Sequence, residues 1–273
     1  MVDRRVPGEL GVAVAQFAPG SDKSANLAAM RGLADTAVAR GASVLVFPEY
    51  SSFFETTLGD ASIRAAEPLD GPFVTALAAI AVDLSLYVVA GMLETTDDPS
   101  RVHNTLVAVD PTGQVVARYR KLHLYDAFGA TESDRVRAGL IEPPETFRVG
   151  GFTAGLQTCY DIRFPEVTRR LVDAGADLVL VPAEWVRGPL KEQHWRTLLT
   201  ARALENTIYL AAADQAPPAG VGTSLVIDPM GVALAEVGEI TDVAVGWLSP
   251  ERLAAERRVN PALGLRRFGV VPL

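Results

Sequence analysis

The sequence predicts an α/β fold built as a four-layer α-β-β-α sandwich, and three observations lead there. Short apolar runs without polar alternation recur along the chain, as in strands buried on both faces. Amphipathic helical segments separate some of these runs and tight turns join others, so the sheets are mixed, not purely parallel. The turn Asp110-Pro-Thr-Gly113 of the first half returns as Asp228-Pro-Met-Gly231 in the second. Two similar sheets packed face to face, with helices on their outer faces, satisfy all three.

The elements follow in order. Residues 11–17 read as the first strand, and a helix follows with Ser21 or Asp22 as N-cap and Ala25, Leu27, Ala28, Leu33, Ala34 and Ala37 on one face. Gly41 ends it, and 43–47 is a buried strand. Residues 71–84 form an amphipathic helix and 87–92 a strand; strands 101–109 and 114–120 flank the first Asp-Pro-x-Gly turn, with glycine where the turn needs it. A loop of about twenty residues after Lys121 exceeds the usual connection, a mark of functional loops. A strand then runs into Cys159, followed by helix 164–173, strand 177–181, helix 190–206 and strand 209–213. Strands 224–227 and 232–236 meet at the second turn; strand 243–248, a short helix from Glu251 and an irregular basic tail complete the chain. No linker or low-complexity run divides it, so residues 1–273 read as one domain, with 251–273 as a C-terminal extension.

Composition narrows the function. With 49% hydrophobic residues, 23 glycines and 18 prolines the chain resembles an ordinary globular enzyme. A net charge of −8 argues against nucleic acid and anionic membranes as partners. The single cysteine excludes an internal disulfide and fits a reducing compartment. The N-terminus lacks the apolar stretch of a signal peptide, and no run approaches a membrane span. A cytoplasmic location is the expectation.

That cysteine, Cys159, lies in Gly155-Leu-Gln-Thr-Cys-Tyr-Asp-Ile-Arg-Phe-Pro-Glu166, between an apolar strand and a helix start. Such an elbow exposes a nucleophile beside backbone N–H groups, although a lone buried cysteine also serves as a small inert hydrophobe. Glu49 follows a buried strand directly, with Pro48 stopping the ladder; alone, it reads more readily as a solvated loop acid. Lys121 ends a hairpin strand and opens the long loop; alone, it reads equally as an edge-strand lysine. Together the three have a chemical reason. A thiol needs a base or a nearby cation to react at neutral pH. A shielded carboxylate can take the thiol proton and return it to a leaving amine. An ammonium stabilises a tetrahedral oxyanion, with the Tyr160 N–H placed as a second donor. The set suits attack on an amide, nitrile or carbamoyl carbon.

On these segments the sequence resembles the nitrilase superfamily of carbon–nitrogen hydrolases. The residues that carry the likeness are Phe47-Pro-Glu-Tyr50, Tyr119-Arg-Lys-Leu-His-Leu-Tyr-Asp126 and Cys159-Tyr-Asp-Ile-Arg-Phe-Pro-Glu166, supported by Val12-Ala-Val-Ala-Gln16, Asn104, Ala201-Arg-Ala-Leu-Glu-Asn206 and Gly222-Thr-Ser-Leu-Val-Ile-Asp-Pro-Met-Gly231. The resemblance implies the α-β-β-α sandwich, Glu49 as general base, Lys121 as oxyanion stabiliser and Cys159 as nucleophile, with no cofactor or metal. Glu132, in Thr131-Glu-Ser133, matches a further glutamate that orients the lysine or the attacking water. His123-Leu-Tyr-Asp126, Cys159-Tyr-Asp161 and the short C-terminus are similar to the small ω-amidase and deaminated-glutathione amidase type, which releases ammonia through a thioester. The superfamily also implies a homodimer or higher homo-oligomer through helices 164–173 and 190–206, which carry Leu171, Val172, Trp195, Leu198, Leu199 and Leu204, with 257–268 lying across the partner.

Within that branch Arg163, Glu184 and Trp185 are the substrate-binding candidates. Arg163 pairs either with a substrate carboxylate or with Glu166 three residues on. Glu184, in Pro182-Ala-Glu-Trp185, would repel an acidic substrate unless Lys191 or Arg187 neutralises it, and Ala138-Gly139 stands where Pro-Gly is common. His103, His123 and His194 lack metal-site spacing. His123 supports Lys121 or is structural, and His194 reads as a pocket wall, not the partner of a papain-type cysteine. No Gly-rich phosphate loop follows the first strand. A small-molecule amidase therefore leads, ahead of a carbamoyl-amine or nitrile hydrolase with the same residues and of a non-catalytic interaction module.

Overall fold

The structure, a computed structural model, describes residues 8–273; residues 1–7, on which the signal-peptide expectation rests, lie outside the described part. Its first half runs β1 (Leu10–Gln16), α1 (Lys23–Ala39), β2 (Val44–Val46), α2 (Asp60–Ala65), α3 (Pro72–Leu84), β3 (Tyr87–Thr95), β4 (Val102–Val109) and β5 (Val115–Arg120). The second runs β6 (Thr146–Val149), β7 (Phe152–Leu156), α4 (Pro165–Asp173), β8 (Leu178–Ala183), α5 (Lys191–Asn206), β9 (Tyr209–Asp214), β10 (Leu225–Ile227), β11 (Ala233–Glu236), β12 (Asp242–Leu248) and α6 (Pro250–Val259). The strands form two six-stranded sheets, ordered β12-β1-β2-β3-β4-β5 and β11-β10-β9-β8-β7-β6. Each has a parallel centre flanked by antiparallel pairs, with β12 from the end of the chain beside β1 in the first sheet where β6 lies beside β7 in the second.

Strand parity builds the four layers. Val12, Val14, Val44, Val46, Leu106 and Ala108 point inward and meet Leu156, Leu178, Leu180, Ala211 and Val226 of the other sheet. Their neighbours Ala13, Ala15, Leu45 and Phe47 point outward onto Met30, Ala34, Phe73 and Leu77 of α1 and α3. Val179, Val181, Leu210 and Ala212 likewise meet Leu171, Trp195 and Leu199 of α4 and α5. Burial on both faces removes the polar alternation of a one-sided sheet.

The two Asp-Pro-x-Gly turns are built alike. Asp110 Oδ1 accepts from the Thr112 and Gln114 N–H groups at 2.9 and 3.0 Å, and Asp228 Oδ1 from Met230 and Val232 at 2.9 Å each. Gly113 and Gly231 take φ of +84° and +78°, the left-handed region that favours glycine.

Three sequence readings change. Asp22, not Ser21, caps α1, and that helix buries Asn26, Met30, Ala34 and Ala37 while Ala25 and Ala28 face out. Asn26 turns the helix, because its side-chain N–H groups donate to the carbonyls of Gly20 and Ser52 at 2.8 and 3.2 Å. The short α2 and β6 are additional elements, since six and four residues are too few to display a period. Leu171, Trp195 and Leu199 fill the molecule's own core, whereas Leu204 is exposed.

Gly91 of β3 is the tightest approach in this part of the fold. A Cβ there would stand 2.6 Å from Glu49 Cα and 2.7 Å from Tyr50 N. The Gly91 N–H donates to the Pro48 carbonyl and its own carbonyl accepts from Ser52 N–H, so it seats the whole 48–52 segment. Gly91→Ala is expected to lower unfolding free energy by about 1–3 kcal/mol, the range for overpacking. Gly264→Ala, with open space around it, is expected to stay within about 0.5 kcal/mol. Urea unfolding monitored by circular dichroism checks both.

Candidate active site

At one end of the inter-sheet core the inward-facing residues become polar. Asn104 continues the parity of Leu106 and Ala108 on β4, and Lys121 that of Ala117 and Tyr119 on β5. Gln215 and Glu184 extend the inward series of β9 and β8. The pleat that makes the core therefore also delivers the site.

Lys121 is the centre of a buried network. Its Nζ donates to Glu49 Oε1 at 3.0 Å and lies 3.1 and 2.9 Å from the two Glu132 oxygens. Asn104 Nδ2 bridges the same carboxylates, donating to Glu49 Oε1 at 2.6 Å and Glu132 Oε1 at 3.1 Å. The Tyr50 hydroxyl donates to Glu132 Oε1 at 2.6 Å, and Tyr125 N–H to its Oε2 at 2.6 Å. Burial and then the nearby Glu132 hold the Tyr50 phenol well above its ordinary range, so it stays a donor. Burial by itself pushes the Lys121 ammonium down, but Glu132 and Glu49 outweigh it and raise Lys121 well above a normal lysine. Burial pushes Glu132 up, and Lys121 with the Tyr50 hydrogen bond brings it below the usual carboxylate range. Lys121 and Glu132 are thus both held in their charged forms.

The loop that carries Glu132 is tied back on both sides. Gly139 N–H donates to the Lys121 carbonyl at 2.9 Å, and Arg137 N–H to Val102 O at 2.8 Å. Tyr50, Phe53, Ala65, Leu93, Val102 and Val136 pack beneath it.

Cys159 follows β7 at the start of a 3-10 turn, Cys159–Arg163, and has a φ of +46°, which is rare without glycine. Its buried thiol donates to the Glu184 carbonyl at 3.3 Å. The Glu184 N–H donates to Glu49 Oε2 at 2.7 Å, so acid and thiol meet on one residue's backbone. Burial first and Glu49 second push the thiol well above its ordinary value, with Lys121 opposing them. Tyr160 comes next, in the first turn, where helix N–H groups lack intrahelical acceptors. Asp161 anchors the elbow, accepting from Tyr119 OH at 2.7 Å, His123 N at 3.0 Å and pairing with His123 Nδ1 at 2.8 Å. His123 thus bonds to Asp161 and stacks on Phe164 at 3.7 Å, with no hydrogen bond to Lys121 among the described residues.

A cavity of about 820 Å³ opens over these groups, lined by Glu49, Lys121, Glu132, Cys159, Tyr160, Glu184 and Trp185 among others, with His194 on its wall. Arg163 lies on the 3-10 turn before α4, not on the Glu166 helix, and its guanidinium sits 4.9 Å from the Trp185 ring centroid. Its buried Nε and one Nη are without hydrogen-bond partners. Lys191 Nζ lies 4.4 Å from the Phe128 ring centroid and donates to Tyr125 OH at 2.8 Å. Burial and then Arg163 lower its pKa. Arg187 pairs with Glu239 at 3.2 Å, so of Arg187 and Lys191 it is Lys191 that, together with Lys121, opposes the charge-disfavouring surroundings of Glu184. Among the described residues, no three His, Cys, Asp or Glu side chains are grouped to hold a metal ion.

The structure brings Glu49, Lys121, Glu132, Cys159, Tyr160, Glu184 and Trp185 to one cavity, with Arg163 against Trp185. Sequence reasoning missed Tyr50 and the roles of Asn104, Tyr125 and Gln215. Strand parity carries the signal for Asn104, two residues before the inward Leu106, and for Gln215, whose Nε2 donates to Glu49 O at 3.0 Å.

The chain is similar to known proteins over nearly its whole length. Residues 11–258 match the family described as carbon-nitrogen hydrolase. The chain is 39% identical over 257 residues to a deaminated glutathione amidase of Escherichia coli O157:H7, covering 94% of this chain and 97% of that one. Saccharomyces cerevisiae Nit3, of branch 10 of the nitrilase superfamily, superposes with a TM-score of 0.84 at 25% identity, covering 95% of this chain and 97% of that one. A mutant amidase from Nesterenkonia sp. AN1, with the acetamide moiety of fluoroacetamide covalently added at its active-site cysteine, superposes with a TM-score of 0.77 at 27% identity, covering 96% and 98%.

Cys159 is the sole thiol, so ultraviolet thiolate absorbance reports it alone. In Glu49→Gln the thiolate is expected to form at lower pH than in the wild type, because a neighbouring negative charge is gone while Lys121 stays. An unshifted titration would mean that Glu49 does not act on the thiol.

Proposed function

The chain belongs to the carbon–nitrogen hydrolase family, and from that premise we propose that it is a cysteine-dependent amidase. It hydrolyses a small-molecule amide that carries a carboxylate, giving a carboxylic acid and ammonia through a thioester. The observation that carries this reading is the buried Lys121 ammonium between Glu49 and Glu132, beside a thiol that shares the Glu184 backbone with Glu49.

The scheme follows from the protonation states. The thiol is held neutral and needs a base when it attacks. Glu49 takes that proton as Sγ bonds to the amide carbon, and the carbonyl electron pair moves onto oxygen. Lys121 and the Tyr160 N–H receive the oxyanion. On collapse the C–N bond breaks and the proton on Glu49 passes to the nitrogen, which leaves as ammonia. Water then attacks the thioester, with Glu49 again as base, and expels the thiol with its proton. Glu132, bonded to both Lys121 and Asn104, holds the ammonium in place.

Arg163 and Lys191, two cations among Phe128, Trp185 and Tyr125, support a carboxylate on the substrate. The covalent cysteine adduct of the Nesterenkonia amidase and the deaminated glutathione amidases among the relatives support an amide over a nitrile or carbamoyl group. Ammonia release from a panel of carboxylate-bearing amides, N-carbamoyl amines and nitriles is expected from the wild type for the amides, and not from Cys159→Ala. Equal background signals from both proteins would remove every catalytic reading, and release from nitriles alone would remove this one.

The reading extends to the assembly: one domain, acting in the cytoplasm as a homodimer, with 251–273 at the interface. Exposed Leu204 on α5 and exposed Leu265, Phe268 and Val271 in the tail support it. Sedimentation equilibrium is expected to give twice the 29.0 kDa chain mass. Removing 261–273 is expected to shift the equilibrium toward the monomer; a monomeric full-length chain would refute the dimer.

A further inference from the structure

The turn Cys159–Arg163 carries the thiol, the Tyr160 N–H and the Arg163 guanidinium, and it opens on a φ of +46° at Cys159. A backbone bent in that way persists only where its surroundings over-determine it. Its entry is held by Thr158, whose hydroxyl donates to the Pro182 carbonyl at 2.7 Å. Its middle is held by Asp161, which accepts from the Tyr119 hydroxyl and the His123 N–H.

Its exit is held differently. Asp161 N–H donates to Thr158 O at 3.0 Å and Phe164 N–H to Asp161 O at 2.9 Å, each bond closing over three residues. In that pattern the donor to the Ile162 carbonyl would be residue 165, and Pro165 has no N–H. The chain has also left helical geometry at Phe164, with φ −108° and ψ +95°. Ile162 is fully buried, and among the described residues no turn or cap N–H reaches its carbonyl. Arg202 of α5 takes it instead: Nε and Nη2 donate to Ile162 O at 3.1 and 2.8 Å. Two N–H groups of a planar guanidinium on one oxygen fix the direction of the carbonyl as well as its distance.

Arg202 is itself anchored. Its Nη1 donates to Glu205 Oε1 at 2.9 Å, and Asn206 Nδ2 donates to its carbonyl at 2.9 Å. Trp195, Leu199 and Ala203 of the same helix are buried against Val181 of β8 and Leu210 of β9. Arg202 does not line the cavity, so it acts on the chemistry only through the turn.

We propose that Arg202 is a positioning residue: by clamping the Ile162 carbonyl it sets the angle at which the Cys159–Arg163 turn presents the thiol and the Tyr160 N–H. The inference rests on the amidase reading above. Glu49 and Lys121 belong to the half of the fold that holds β2 and β5, whereas the turn follows β7 of the other sheet. A turn released at its exit must twist to satisfy a buried carbonyl. The thiol and the Tyr160 N–H then move together relative to the base and the ammonium.

Three variants test this. Arg202→Met keeps the length and removes every donor, Arg202→Lys keeps one ammonium within reach, and Glu205→Ala leaves both bonds to Ile162 in place. The first readout is the single-turnover rate constant for ammonia release from a carboxylate-bearing amide with enzyme in excess, which does not depend on the active fraction of a variant. Arg202→Met is expected to lower it about a hundredfold, the scale of a misplacement of about 1 Å. Arg202→Lys is expected to recover most of that loss, and Glu205→Ala to stay within about twofold of the wild type, as for a surface change. The second readout is hydrogen exchange by mass spectrometry, expected to quicken over 158–164 in Arg202→Met and to stay unchanged in β8 and β9. An Arg202→Met rate equal to the wild type, an Arg202→Lys as slow as Arg202→Met, or a Glu205→Ala as slow as either overturns the proposal. Exchange that quickens throughout the fold, or not at all over 158–164, overturns it too. A wild type that releases no ammonia from any amide would refute the amidase reading, and the exchange result would then decide by itself whether Arg202 holds the turn.

Discussion

A lysine ammonium enclosed between two carboxylates, away from water, is the interaction on which the rest of this structure depends. Burial alone drives Lys121 toward its neutral form, and Glu132 with Glu49 reverse that outcome. A buried ion group of this kind is stable only when its remaining lone pairs and protons are satisfied. Here Asn104, the Tyr50 hydroxyl and the N–H groups of Tyr125 and Glu184 do so. Breaking one member of a buried pair typically costs about 3–5 kcal/mol, because the other charge stays behind unpaired. The long loop, the strand ends of both sheets and the seat at Gly91 are therefore constrained by one charged group.

The same constraint divides the cavity by charge. Its base holds Glu49 and Glu132 around one ammonium; burial first and Glu49 second keep the adjoining thiol protonated, against the pull of Lys121. Its outer wall holds Arg163 and Lys191 among aromatic rings. Glu184 stands between the two regions, where burial and then Glu49 beneath it raise its pKa and its backbone joins thiol to carboxylate. The positive φ at both Tyr50 and Cys159 shows that the segments bearing Glu49 and the thiol are bent out of ordinary geometry. Packing and the Asp161 anchor hold them there.

Much of this was legible along the chain, for reasons of period and turn chemistry. Strands buried on both faces lose polar alternation, so 43–47 and 177–181 stand out, and Asp-Pro-x-Gly announces each hairpin and the likeness of the halves. Glu49, Lys121 and Cys159 each follow a strand, a position that sequence alone reveals. The short α2 and β6 lacked the length to show a pattern. The inward turn of Asn26 escaped because a side-chain hydrogen bond to Ser52, distant in sequence, overrides the apolar face of its helix. Of the two sequence readings of Arg163, the pairing with Glu166 needs both on one helix, and the 3-10 turn that bears Arg163 instead sets its guanidinium against Trp185.

The sequence by itself determined the layers, the hairpins and the candidates for the reacting groups, because each depends on residue type and local spacing. Only the tertiary structure decided their chemical state. Charge on Lys121, neutrality of the Cys159 thiol and the raised pKa of Glu184 arise from groups that are far apart in the chain and close in space. Electrostatic interaction depends on distance and on exclusion of water, and neither exists until the two sheets have packed.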